Sequence, residues 1–243
     1  MLKFWCINLA IINRYRIISI ECPVSDIKVF RFQPFSGEIP QFTPGQWVFL
    51  HLLDEKGNSV EKRPYSIASS PSAPYLEFAI DMIHGKLTSK LDLMTVGDKV
   101  GIEGPMGHLT YKDQTKAAFI AGGTGVAPMM SMLRHIAEKK IDGTFVLFYT
   151  TRTRERVLYK EELEKLHEKN SGIKVVITLT REKPTNWVGE CGRINHEMIN
   201  KHTNKASEHD WWMCGPMDLI KNMRVCLTGM GVDGKKLRME GWG

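Results

Sequence analysis

The hydrophobic period of this chain changes once, near residue 112, and a single type of layer cannot accommodate both halves. Before that point the apolar residues fall into short β-rich runs: "RIISIE", "DIKVFRF", "GQWVFLHLL", "YLEFAID" and "DKVGIEGP". Gly and Pro punctuate them, which predicts an antiparallel barrel or sandwich, with one short helix over "TSKLDLMTV". Beyond it, "AAFIA", "TFVLFYTT", "IKVVITLT" and "DWWMCG" alternate with helical stretches. In "APMMSMLRHIAEKK" the apolar Met129, Met132, Leu133 and Ile136 recur at helical spacing. Alternation of strand and helix predicts a doubly wound parallel α/β sheet, with "KLRMEGWG" as an edge strand. The expected units are an apolar N-terminal segment (1–13), an antiparallel β-barrel domain (14–112) and an α/β domain (113–243). With 243 residues and 42% hydrophobic content, both domains have enough apolar material for a core.

The formal net charge of +6 is compatible with a mildly basic surface, or with a face that steers an acidic partner or a phosphorylated ligand. No run of five Lys or Arg and no nucleic-acid-binding motif appears, so nucleic acid is not expected as a partner. Cys6, Cys22, Cys191, Cys214 and Cys226 are widely spaced and odd in number. That argues against a zinc site, an iron–sulfur cluster or a disulfide framework, and predicts a reducing cytoplasm. The apolar stretch from Phe4 to Ile12 is too short to span a bilayer, and no membrane is expected as a partner. Packing on the body, a weak membrane contact and a signal peptide are its alternative readings.

Three stretches carry chemistry. "KRPYSIASSP" sets Arg63, a Pro-fixed Tyr65 and several hydroxyls together, more than a turn requires. Arg63 could fork onto a pyrophosphate and Tyr65 could stack on a planar ring. "FIAGGTGVAP" ends a buried strand in Gly122, Gly123 and Gly125 before a helix, whose free N–H groups suit a phosphate. It is neither G-x-G-x-x-G nor a P-loop, and alone it is equally a plain glycine turn. "CGP" places Cys214 at another strand's carboxyl end, where ligands bind; alone it is more often a buried small residue. "HGKLTS" adds amides and a hydroxyl, though by itself it reads as a loop.

Taken in order, R-x-Y-S, G-K-x-[ST], G-P-x-G, G-G-T-G-x-A-P, C-G-P and a terminal acidic–aromatic pair resemble the ferredoxin–NADP reductase family of two-domain flavoproteins, over residues 14 to 243. The resemblance implies an FAD-binding barrel and a nucleotide domain that delivers hydride from NAD(P)H. It implies that Arg63 holds the flavin pyrophosphate, that Tyr65 packs on the isoalloxazine, and that Ser66 lies beside the hydride-accepting nitrogen. Ile67 and Ala68 would give backbone contacts, and Gly85, Lys86, Leu87 and Thr88 would close on the flavin phosphates. Gly123, Thr124 and Gly125 match the nicotinamide-nucleotide loop. Cys214, Gly215 and Pro216 match the strand end beside the nicotinamide, and Glu240 with Trp242 the terminal pair at the flavin. Pro64, Ile80 and Met217 complete the implied cofactor positions; Ser66, Cys214, Glu240 and Trp242 are the implied catalytic set.

After "KVVITLT", Thr180 and Arg181 resemble the phosphate-binding pair of NADP-using members, and Arg152 could add charge. NADP(H) is therefore favoured over NAD(H), and Arg181 as a solvated loop residue is the alternative. Without cluster cysteines, the acceptor is expected to be a separate molecule. A ferredoxin fits the basic charge. An oxygenase component, a cytochrome, free flavin, or service as an electron-transfer subunit of a larger complex are the other readings.

Overall fold

A computed structural model describes residues 12–242. The apolar segment expected over residues 1–13 therefore lies mostly outside the described residues. In the first domain, six antiparallel strands form one sheet: β1 (Asn13–Val24), β2 (Ile27–Pro34), β3 (Trp47–Leu53), β4 (Ser59–Ser66), β5 (Leu76–Asp81) and β6 (Lys99–Met106), in the order β4-β3-β6-β1-β2-β5. The sheet rolls until its two edges meet, where the Ala68 N–H just past β4 donates to the Glu77 carbonyl of β5 at 2.8 Å. Phe30, Phe32 and Phe78 fill the interior, with Phe32 and Phe78 centroids 5.6 Å apart.

Two local points go beyond the sequence. The "RPYS" stretch, absent from the expected strands, is strand. Pro64 hides the strand signal because it cannot donate to a ladder, but β4 is an edge strand paired only with β3, where a missing N–H is tolerated. The short helix, α1, occupies Lys86–Leu91 and so begins earlier than expected. Its start is fixed by Thr88, whose Oγ1 accepts the Gly85 N–H at 2.9 Å.

In the second domain the strands β7 (Lys116–Gly122), β8 (Thr144–Thr151), β9 (Ile173–Leu179), β10 (Glu190–Cys191), β11 (Asp210–Pro216) and β12 (Leu237–Trp242) are parallel, in the order β10-β9-β8-β7-β11-β12. The helices are α2 (Val126–Lys139), α3 (Lys160–Lys169), α4 (His196–Thr203) and α5 (Met217–Gly229). Alternate strand residues face opposite layers. Phe119, Leu147 and Tyr149 pack toward α2 and α3, while Ile120, Val146 and Phe148 pack toward α4 and α5. That two-sided burial is why these strands read as continuous apolar runs.

The domains share one core. Val29, Ala68 and Ala79 of the barrel join the cluster around α2, as do Leu109 and Tyr111 of the connecting segment. Trp212 Nε1 donates to the Thr110 carbonyl at 2.9 Å, and its ring meets Tyr111 at 5.4 Å. The two domains therefore pack directly against each other.

Candidate functional site: two adjoining cavities

The first cavity, of about 480 Å³, lies against the β4 edge. Arg63, Pro64, Tyr65 and Ser66 line one side and Gly85 to Thr88 another. Trp47 stands beside Ser66, its register partner on β3. From the second domain, Thr124, Cys214, Glu240 and Trp242 close it. Segments read separately along the sequence thus converge on one space.

The second cavity, of about 840 Å³, opens at the carboxyl ends of the parallel strands, as doubly wound sheets generally arrange. Gly122, Gly123 and Thr124 come from the end of β7, Thr150 to Arg152 from β8, Thr180 from β9 and Pro216 from β11. Asp26, Asp81 and His84 of the barrel face them. Asp81, Ile83, Thr124 and Trp242 border both cavities, so the two spaces are neighbours.

Glycine matters here at two positions. Gly123 has φ +55 and open space where a Cβ would stand, so its backbone faces the cavity bare. A Cβ on Gly125 would collide with the Cys214 carbonyl oxygen and stand 2.8 Å from the Trp242 ring, so the close approach of the loop to β11 and β12 requires glycine.

Charge is distributed unevenly. Asp26 and Arg156 join the domains through two contacts of 2.9 Å, and that guanidinium holds the Asp26 carboxyl below the usual range. Asp81 is pushed up, first by burial and then by Asp26 nearby, with Arg156 and Arg152 opposing. Arg152 and Arg193, both on the second cavity, have no ion-pair partner among the described residues. Burial pushes the Cys214 thiol far up, with the Glu240 charge adding to it. Burial also raises Glu240 itself, against the opposing influence of Trp47 and His108. Tyr65 is pushed up to about 12 by burial. Arg63 pairs with Glu61 and donates to the Lys62 carbonyl at 2.8 Å.

Several expected residues lie behind or beside the cavities rather than on them. Ile67, Ala68 and Ile80 are buried in the protein interior. The Ile67 N–H donates to Gln46 O at 3.0 Å and the Ala68 N–H to Glu77 O, so both amides are engaged internally. Gly125 and Gly215 are buried under the loop contacts, and Met217 lies at the start of α5 outside both linings. Thr180 lines the second cavity, and its hydroxyl donates to Thr151 O at 3.0 Å. Arg181 is exposed and outside the lining; its amide donates to Arg152 O at 2.9 Å. The sequence reading missed Trp47, Asp26, Asp81, Arg156 and Arg193. Asp81 does carry a signal, since it interrupts an apolar stretch three residues before His84 of the "HGK" loop.

No group of three His, Cys, Asp or Glu arranged for a metal occurs among the described residues, and none of their helices is long and apolar enough to cross a membrane.

Comparison with known proteins matches residues 15–111 to an oxidoreductase FAD-binding domain and residues 119–224 to an oxidoreductase NAD-binding domain. NADH-cytochrome b5 reductase 1 of Scheffersomyces stipitis is 32% identical over 180 residues, which is 72% of this chain and 63% of that protein. The glycine betaine monooxygenase reductase subunit of Pseudomonas aeruginosa is 28% identical over 225 residues, 90% of this chain and 61% of the relative. The chain thus spans about three fifths of the length of these relatives. The structure of a ferredoxin NADP+ reductase from Neisseria gonorrhoeae superposes with a TM-score of 0.80 at 21% identity, covering 95% of this chain and 98% of that one. The flavohem-like FAD/NAD binding domain of nitric oxide dioxygenase from Vibrio cholerae superposes with a TM-score of 0.85 at 18% identity, with the same coverage. With an FAD-binding domain and an NAD-binding domain in that order on this fold, the chain belongs to the two-domain flavoprotein oxidoreductases of the ferredoxin–NADP reductase family.

Proposed function

We propose that this chain takes hydride from NADPH onto a bound FAD and passes the electrons to a separate acceptor, with a ferredoxin as the first candidate. The flavin site falls on residues 14–112 with help from the C-terminal strand, and the nucleotide site on 113–243. The observation that carries the reading is the wall shared by the two cavities at Thr124 and Trp242. A dinucleotide in one cavity and a flavin in the other would have only those side chains and Asp81 and Ile83 between them.

The lining suits the groups it would hold. Arg63 and Lys86 supply cations for a diphosphate, and Tyr65, Trp47 and Trp242 supply aromatic surface for a flat ring system. The bare backbone at Gly123 and the start of α2 suit the diphosphate of the nucleotide. Flavin, when bound, supplies hydride acceptance and electron release, while the protein binds, orients and shields it. Ser66, on the lining, would offer its hydroxyl to the flavin. Cys214, whose ionisation burial disfavours, would border the flavin side of the cleft without adding charge. Glu240, with its raised affinity for a proton, is suited to hold one at the flavin edge.

Thr180 and Arg181 are the proposed readers of a 2′-phosphate, with Arg152 and Arg193 as further cations on the cavity. NADH use is the second reading. It is supported by the position of Arg181 outside the lining and by the similarity to proteins named NADH-cytochrome b5 reductase. A cytochrome b5 or an oxygenase component are the alternative acceptors, after the names of those relatives. A reducing cytoplasm is the proposed compartment, supported by the four free cysteines among the described residues.

The test is anaerobic turnover with NADPH against a purified ferredoxin, cytochrome b5 and an oxygenase component in parallel. The reading expects ferredoxin reduction to be fastest and to slow steeply with salt. Faster reduction of either other acceptor would reassign the partner.

A further inference from the structure

We infer that Arg134 and Ser131, on α2, bolt the nucleotide domain to the chain segment directly after Tyr65 and Ser66, and so act as positioning residues for hydride transfer between the two cavities. The inference rests on the function proposed above.

The bolt is built from directed contacts. Arg134 Nη1 donates to the Ala68 carbonyl at 2.8 Å and to Glu77 Oε1 at 2.7 Å. Its Nε and Nη2 donate to the two Glu162 oxygens, each at 2.6 Å, and its guanidinium stands 5.2 Å from the Tyr159 ring centre. Glu77 is fully buried, and its second oxygen accepts from Arg31 Nε at 2.7 Å. One turn earlier on the helix, Ser131 Oγ donates to the Ser69 carbonyl at 2.7 Å. Ser69 Oγ in turn accepts the Glu77 N–H at 3.2 Å.

The placement of these contacts gives them a role. Ala68 and Ser69 follow Ser66 by two and three residues, so they belong to the same stretch of backbone that sets Tyr65 and Ser66. Ser131 and Arg134 share one face of a helix whose first turn carries the Gly123–Gly125 loop. The helix is a rigid lever of about 14 Å from Gly125 to Arg134. A shift at the bolt therefore moves the nucleotide loop relative to the flavin side of the cleft.

Chemistry separates this role from plain stability. Around the bolt, Val29, Ala68 and Ala79 pack against the helix, and such apolar contacts resist separation better than sliding. Further along α2, Glu138 accepts from the Ser70 and Ser72 hydroxyls, and Asp26 pairs with Arg156 at the cavity rim. A guanidinium fork fixes both distance and angle. A buried ion pair is a weak source of net stability compared with apolar packing, whereas its directional contacts define one arrangement.

The experiment uses flavin-loaded Arg134→Met and Ser131→Ala, with anaerobic flavin bleaching over a range of NADPH concentrations and calorimetric melting. Misplacement of reacting groups by about 1 Å costs on the order of 100-fold in rate. The expected limiting bleaching rate falls at least about tenfold in Arg134→Met and about threefold in Ser131→Ala, on the same warrant. The half-saturating NADPH concentration stays within about twofold, because neither residue lines the nucleotide cavity. The wild type is expected to melt in one transition, and Arg134→Met in two, as the domains lose their coupling. Limiting rates within about twofold of wild type, with one melting transition retained, would overturn the inference. If Arg134→Met does not fold, Ser131→Ala decides by the same rate criterion. A wild-type protein that neither NADPH nor NADH bleaches would overturn the proposed function instead, and the melting behaviour would still report on the bolt.

Discussion

Cys214 and Glu240 stand in register on neighbouring parallel strands, β11 and β12, and both border the first cavity. Burial makes both harder to ionise, and the Glu240 charge adds to the larger effect of burial on Cys214. Trp47 approaches the same place: a Cβ on Gly107 would stand 2.6 Å from the indole and 3.6 Å from Glu240 Oε1. The end of the cleft is thus lined by a thiol and a carboxyl that burial makes harder to ionise.

Cys214 should be inert toward alkylation. Thiolate is the reactive form, and burial raises the Cys214 thiol while Cys22 and Cys191 are exposed. With iodoacetamide at pH 8, peptide mass spectrometry should find Cys22 and Cys191 modified on the order of 100-fold faster than Cys214. Comparable labelling of all three would contradict the buried, neutral thiol.

Glu240 should make stability fall as pH rises. Its folded-state affinity for a proton is raised, so its contribution is full below the ordinary carboxylate range and is lost as pH climbs through the raised folded value. Glu240→Gln removes that term. Between pH 4 and pH 8 the variant's melting temperature should therefore gain on the wild type. A gap that is constant with pH would show that Glu240 ionises normally.

Arg63→Ala should weaken FAD binding about tenfold or more, the worth of a lost charge-assisted hydrogen bond. The flavin retained after dialysis reads it directly. Full occupancy in the variant would remove Arg63 from the site.

The four arginines near the second cavity make distinguishable predictions. Arg193→Ala and Arg152→Ala should raise the KM for NADPH about tenfold, since each is a cation on the lining with no ion pair among the described residues. Arg181→Ala should raise the KM for NADPH several times more than that for NADH. A like-sized change for both nucleotides would show that Arg181 does not read a 2′-phosphate. Arg156, already paired with Asp26, should matter less for affinity.

What could be read from the sequence were positions where local backbone chemistry and function coincide. Gly123 and Gly125 stand out because the turn demands them, and Cys214-Gly215-Pro216 because a strand stops there. The alternating periods fix both layers. Pro64 concealed β4, since its edge placement depends on strand order and not on any local pattern. Asp26 and Arg156 lie 130 positions apart and meet only once the domains are packed. Arg193 follows a two-residue strand too short to show a period. The internal engagement of the Ile67 and Ala68 amides likewise depends on Gln46 and Glu77, which no local motif connects to them.

The most direct measurement is an anaerobic stopped-flow mix of the flavin-loaded protein with NADPH, and separately with NADH, following the flavin band at about 450 nm, which belongs to the cofactor itself. Fast bleaching with NADPH and slower bleaching with NADH is the expected result. Flavin that stays oxidised with both nucleotides would contradict hydride transfer between the two cavities.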